Sequence, residues 1–228
     1  MRKRVFITAS LLLLTVAEAA AADSIELSAE TDGHVARTSV CTIPATDGMG
    51  SDRTHFSKED SLTICNMLEE ARQQPQAAGQ PLFFARKFIG RPYVAHTLEL
   101  PGEERLVVNT AQLDCTTLVE TVTALTMCAA RRLYSFRDYL NALMSLRYRG
   151  GRLEGYVSRL HYFSDWIEDK GRIGITTEIQ SPTPPFTGVQ KLDIYYMSTH
   201  AKSYKALDEH PEFIEEIREQ EKELTGKT

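Results

Sequence analysis

At 228 residues, with 42% hydrophobic and 25% charged side chains, the chain has the composition of a soluble globular protein with room for one sizeable domain. Its net charge of -5 gives no basic field of the kind that grips a phosphate backbone, so nucleic acid is excluded as the expected partner. At the N-terminus, Arg2, Lys3 and Arg4 precede an apolar run from Val5 to Val16 and a small-residue stretch from Ala17 to Ala22. That order is the pattern of a secretory signal over residues 1–22. The apolar run is shorter than the roughly 20 residues that cross a bilayer, so an exported, periplasmic chain with no membrane span after signal removal is expected.

Residues 23–53 are polar, carry Gly, Ser and Thr, and lack sustained periodicity, as in a flexible arm. The domain is expected from 54 to 228. Ser57 with Glu59 and Asp60 predicts a helix start, and Ile64, Leu68 and Ala71 then share one helical face to about Gln74. Gln80 to Ile89 predicts a second helix stopped by Gly90 and Pro92. Arg105 to Asn109 predicts a short buried strand after the Pro101-Gly102 turn. Leu118, Val122, Leu125 and Ala129 recur at helical spacing directly after Leu113-Asp114-Cys115-Thr116-Thr117, which puts Cys115 at a helix N-terminus. Phe136 to Leu146 predicts an amphipathic helix ended by Gly150-Gly151. Gly171 to Ile179 and Leu192 to Met197 are strand candidates around the Pro-rich loop from Pro182 to Phe186, and Pro211 to Leu224 predicts a closing helix.

Four cysteines in an oxidising compartment can form two disulfides in three connectivities. Cys65 and Cys128, however, lie in apolar helical patterns and read as small core residues. Cys115 has polar neighbours. A helix N-terminus favours negative charge and offers unpaired N–H groups, so a cysteine there can serve as a thiolate nucleophile beside an oxyanion site; it can equally be structural.

Gly90-Arg91-Pro92-Tyr93 followed by Asp114-Cys115-Thr116-Thr117-Leu118-Val119 resembles the G-x-P-Y and D-C-[ST]-x-[FL]-V motifs of NlpC-type papain-like cell-wall hydrolases. Pro92-Tyr93-Val94-Ala95, Leu98-Glu99, Asp114-Cys115-Thr116-Thr117, His161-Tyr162-Phe163-Ser164-Asp165-Trp166 and Met197-Ser198-Thr199-His200 more closely resemble the N-acetylmuramoyl-L-alanine amidase-like family, from about Leu62 onward. The resemblance implies an α+β, papain-like fold in which the nucleophile's helix packs on an antiparallel sheet. It also implies hydrolysis of the N-acetylmuramoyl-L-alanine amide in peptidoglycan or muropeptide fragments through a thioester at Cys115. Tyr93 matches the family's tyrosine beside the nucleophile, as a donor to substrate or oxyanion or as a packed aromatic.

The base is the open position. Of six histidines, His34 and His55 fall in or beside the arm, His210 precedes Pro211, His200 lies in a turn and His96 precedes Pro101. His161 is the best candidate within the chain, because Arg159, His161, Tyr162, Asp165 and Trp166 supply the mixture of charge and aromatic surface that a sugar-peptide pocket uses; a packed aromatic cluster is the alternative. Family relatives carry the histidine in an S-H-V-G-I-like strand that has no counterpart here, so the chain is expected to be C-terminally shortened, its sheet incomplete. The competing function is a catalytically inactive or fragmentary muropeptide-binding relative. No cofactor is implied, and no His/Cys/Asp/Glu pair at metal-ligand spacing stands next to a second such pair.

Overall fold

The computed structural model describes residues 53–179, 181 and 183–227; the expected signal peptide and nearly all of the arm lie outside the described residues. The first element is a short strand, β1 (Thr54–His55), and the second a helix, α1 (Lys58–Gln73), begun by a capping box in which Ser57 and Asp60 exchange hydrogen bonds. The free oxygen of the Asp60 carboxylate accepts from both the N–H and the hydroxyl of Thr110, each at 2.7 Å. One side chain therefore fixes both the helix start and a loop 50 residues away. Ile64, Leu68 and Ala71 are fully buried along the face that the periodicity predicts.

Two short helices follow, α2 (Pro75–Ala78) and α3 (Pro81–Ala85), the latter running into a 3-10 turn at Arg86–Phe88. Each opens on a proline at its first position, where the missing N–H is no loss. Gly90, at φ 86°, then reverses the chain in a conformation that a Cβ would strain. Strand β2 (Leu106–Val107) pairs in parallel with β1, Thr54 opposite Leu106 and His55 opposite Val107.

The centre of the molecule is α4 (Cys115–Ala130), flanked by α1, α2, α3 and α5 (Phe136–Arg147). Eleven of its sixteen residues are buried, so it is wrapped on most sides and exposes chiefly its first turn. A buried ion pair locks it in place: Glu120 faces Arg147 at 2.7 Å, and Arg147 donates a second bond to the Val107 carbonyl at 2.5 Å, joining α4, α5 and β2. An antiparallel sheet beneath α4 is not formed by the described residues, which contribute the parallel pair and two isolated bridges, Tyr93 with Leu113 in parallel and Tyr148 with Arg159 antiparallel.

Helix α6 (Phe163–Arg172) sends Trp166 into the main core and buries Lys170, whose ammonium donates to the Ser145 carbonyl at 2.6 Å and to Asp169 at 2.7 Å. Short helices α7 (Tyr196–Thr199) and α8 (Lys205–Glu209) lead to α9 (Phe213–Leu224). They close a second, smaller core of Tyr156, Val157, Met197, Leu207 and Ile217.

Both strand expectations beyond residue 170 are corrected. Gly171 and Arg172 end α6, Gly174 turns at φ 75°, and the following β-branched run forms no strand. Leu192 exchanges backbone hydrogen bonds with Gly226 and Lys227 after α9, whereas Tyr196 and Met197 begin α7. Short apolar runs do not by periodicity alone distinguish a strand from a packed loop. Among the described residues no helix is long and apolar enough to cross a membrane.

Candidate active site

Asp114 is the N-cap of α4. Its carboxylate accepts from the Thr117 N–H at 2.8 Å, while the Thr117 hydroxyl oxygen accepts from the Asp114 N–H at 2.9 Å. The Leu118 N–H bonds the Asp114 carbonyl, so the third and fourth amides of the helix are spent on the cap. The amides of Cys115 and Thr116, the first two of the helix, have no intrahelical carbonyl to reach and point out of the N-terminus. Cys115 sits in that position as a free, exposed thiol, with the Thr116 hydroxyl 4.0 Å from its sulfur.

The second wall comes from Pro92-Tyr93-Val94. Leu113 donates to the Pro92 carbonyl at 3.2 Å and accepts from Val94 at 3.1 Å, which pairs Tyr93 with the residue two before the cysteine. The Tyr93 phenol consequently meets both the thiol and the backbone N–H of Cys115. Its pKa is held above the ordinary 10.0, first by the negative charge of an ionised Cys115, with loss of hydration and Asp114 adding to the effect. Tyr93 thus stays a protonated donor beside Cys115. It is 71% exposed, open to a ligand rather than packed in the core.

His161 is placed differently. Among the described residues no histidine hydrogen-bonds the Cys115 sulfur; His161 gives its Nε2–H to the Tyr156 carbonyl at 2.9 Å, and its ring packs at a tilt against the Tyr156 ring, 4.4 Å between centroids. Burial pushes its pKa down to about 3, and the Arg159 and Arg149 guanidinium groups push the same way, so the ring is neutral. The other expected pocket residues are also engaged within the fold. Arg159, 5% exposed, faces Glu99 at 2.7 Å and Glu104 at 3.4 Å. Asp165 accepts both arms of the Arg149 fork at 2.9 and 2.6 Å. Tyr162 donates to Glu221 at 2.6 Å and accepts from the Met197 N–H at 2.8 Å, and Trp166 is 2% exposed in the main core.

The structure therefore brings Tyr93 to Cys115 and gathers the 159–166 residues into packing and ion pairs. Cys65 departs from expectation too: it is disulfide-bonded, while Cys128 is a buried free thiol with its pKa pushed up to about 12 by burial. Sequence reasoning passed over the Asp114–Thr117 box, although its cap-and-third-residue spacing was visible.

The chain resembles several solved structures. An N-acetylmuramoyl-L-alanine amidase from Bacteroides uniformis is 41% identical with a TM-score of 0.61, over 67% of this chain and 63% of that one. A second protein of that name from B. uniformis is 37% identical with a TM-score of 0.57. A Bacteroides fragilis protein provisionally named a xylanase is 40% identical with a TM-score of 0.58, over 63% of this chain and 61% of that one. The chain thus spans less than two thirds of the length of these neighbours. No curated protein matched it. Residues 83–226, which include Tyr93, Cys115, α4 and α5, match the AmiA-like family model described as N-acetylmuramoyl-L-alanine amidase-like, and the chain belongs to that family.

Proposed function

We propose that the protein is an exported cell-wall amidase that hydrolyses the N-acetylmuramoyl-L-alanine bond of peptidoglycan or muropeptides, with Cys115 as nucleophile in a papain-like, NlpC-type arrangement. The observation that carries the proposal is the exposed free thiol at the first position of α4, with the Tyr93 phenol against it. The thiolate attacks the lactyl carbonyl carbon, and the electron pair of the C=O moves to oxygen. The amides of Cys115 and Thr116, with the Tyr93 hydroxyl, are the donors available to that oxyanion. Collapse breaks the C–N bond, the peptide amine leaves with a proton drawn from solvent water, and a further water cleaves the remaining thioester to release the sugar acid and regenerate the thiol.

A glycosidase, as the provisional name of one neighbour would suggest, needs two carboxylates flanking the scissile bond. Next to Cys115 the carboxylate is Asp114, already committed to the helix cap.

A second reading has an observation of its own. His161 is neutral and spends its Nε2–H on the Tyr156 carbonyl instead of on Cys115, which favours a muropeptide-binding relative without turnover. Alkylation separates the two. In an amidase, iodoacetamide modifies Cys115 and abolishes release of L-Ala-containing peptides from muropeptides; in a binding relative, muropeptides bind with no release before or after alkylation.

A further inference from the structure

A cleft of about 650 Å³, within the range of small-ligand sites, lies between the loop that follows Tyr93 and the C-terminal helices. Leu98, Leu100, Leu153 and Phe213 give it an apolar lining, and five of its other lining residues are glutamates against the cations Arg53 and Lys205. The charges are unevenly spent. Glu99 and Glu104 face Arg159, Glu209 faces Lys205 at 3.7 Å, and the Arg53 guanidinium donates to the Leu153 carbonyl. No described cation is paired with Glu103 or Glu154, the two remaining carboxylates on the cleft wall.

Two unpaired carboxylates beside an apolar floor are complementary to a ligand with an ammonium group next to an aliphatic side chain. An anionic ligand would meet repulsion there instead. We propose that this cleft is a binding site for a short peptide bearing a free amine, with Glu103 and Glu154 taking the ammonium and the leucines and Phe213 taking the neighbouring apolar side chain. Cys115 and Tyr93 do not line it, so it is separate from the nucleophile. It is nonetheless near: Tyr93 and Leu98 are five residues apart, a reach of at most ~18 Å of extended chain.

The test uses the full chain and N-acetyl-leucyl-lysine amide as probe, followed by amide chemical shifts and calorimetry. The expected result is shifts confined to the 98–104 and 153–156 segments. Affinity should fall at least about fivefold for the Nζ-acetylated probe, for the E103Q/E154Q double variant, and on raising the salt. Both glutamates are exposed, so the double variant should fold; if it does not, the acetylated probe on the unaltered chain decides alone. Undetectable binding at millimolar probe, equal affinity for the acetylated probe, or shifts mapped elsewhere would each overturn the proposal. The outcome is independent of Cys115 chemistry: a chain that binds the probe but leaves muropeptides intact upholds the cleft and sinks the amidase, and the reverse result does the opposite.

Discussion

The phenol of Tyr93 lies against the thiol of Cys115, placed there by backbone pairing of Pro92-Tyr93-Val94 with Leu113. The charge of an ionised sulfur raises the phenol's pKa, so removing the sulfur should lower it. In Cys115→Ala, Tyr93 should ionise at lower pH than in the parent, closer to 10.0, as read by carbon NMR of ring-labelled tyrosine with Tyr93→Phe supplying the assignment. Unchanged titration would mean that the two groups do not meet in solution.

If Tyr93 supplies a donor to the oxyanion, Tyr93→Phe should lower kcat by about 10²-fold with little change in KM, since such a donor acts in the transition state. A rise in KM alone would make Tyr93 a substrate platform.

The cysteines give a direct chemical readout. Among the described cysteines, iodoacetamide at pH 8 should label Cys115 alone in the native chain. Cys128, buried with its pKa pushed up to about 12, should react only on unfolding, and Cys65 only after reduction. Peptide mapping by mass spectrometry checks all three.

His161 ties stability to pH. Its folded pKa, about 3, lies below the ordinary 6.5, so the unfolded chain binds the proton first as pH falls. The stability due to the neutral ring is fully present above 6.5 and is lost progressively as pH drops toward 3. His161→Asn should flatten that part of the Tm-against-pH curve; an unaltered slope would place the imidazole in water.

Buried contacts set the stability of α4. Glu120→Ala strands Arg147 without its counter-charge and should cost about 3–5 kcal/mol, whereas removing the exposed Glu69–Arg72 pair should cost ~0.5 kcal/mol or less. Trp166→Ala should likewise act on stability, by about 3–5 kcal/mol, because its indole fills the core. Urea titration compares the three variants.

What could be read from the sequence was what depends on neighbours along the chain. The helical run and the family motif placed Cys115 at the start of α4, and the apolar Leu106-Val107-Val108 marked β2. What could not be read depends on partners far away. Arg159, Asp165 and Trp166 looked like pocket residues for their chemistry, yet Glu99 lies 60 residues before Arg159, Arg149 lies 16 before Asp165, and Trp166 is covered by the core. Cys65 shows the same limit: its helical spacing matches a core position, which its membership of the buried cluster bears out, and spacing carries no sign of the disulfide. The β-branched residues after Gly174 have strand propensity but no strand to pair with, and propensity without a partner builds no sheet.

The central claim is that Cys115 attacks the muramoyl amide. Purified muropeptides incubated with the unaltered chain and with Cys115→Ala, and analysed by mass spectrometry, test it most directly. The expected result is free peptide beginning with L-Ala together with the sugar acid from the unaltered chain, and intact muropeptide from the variant. Intact muropeptide from both, or equal release from both, would contradict it.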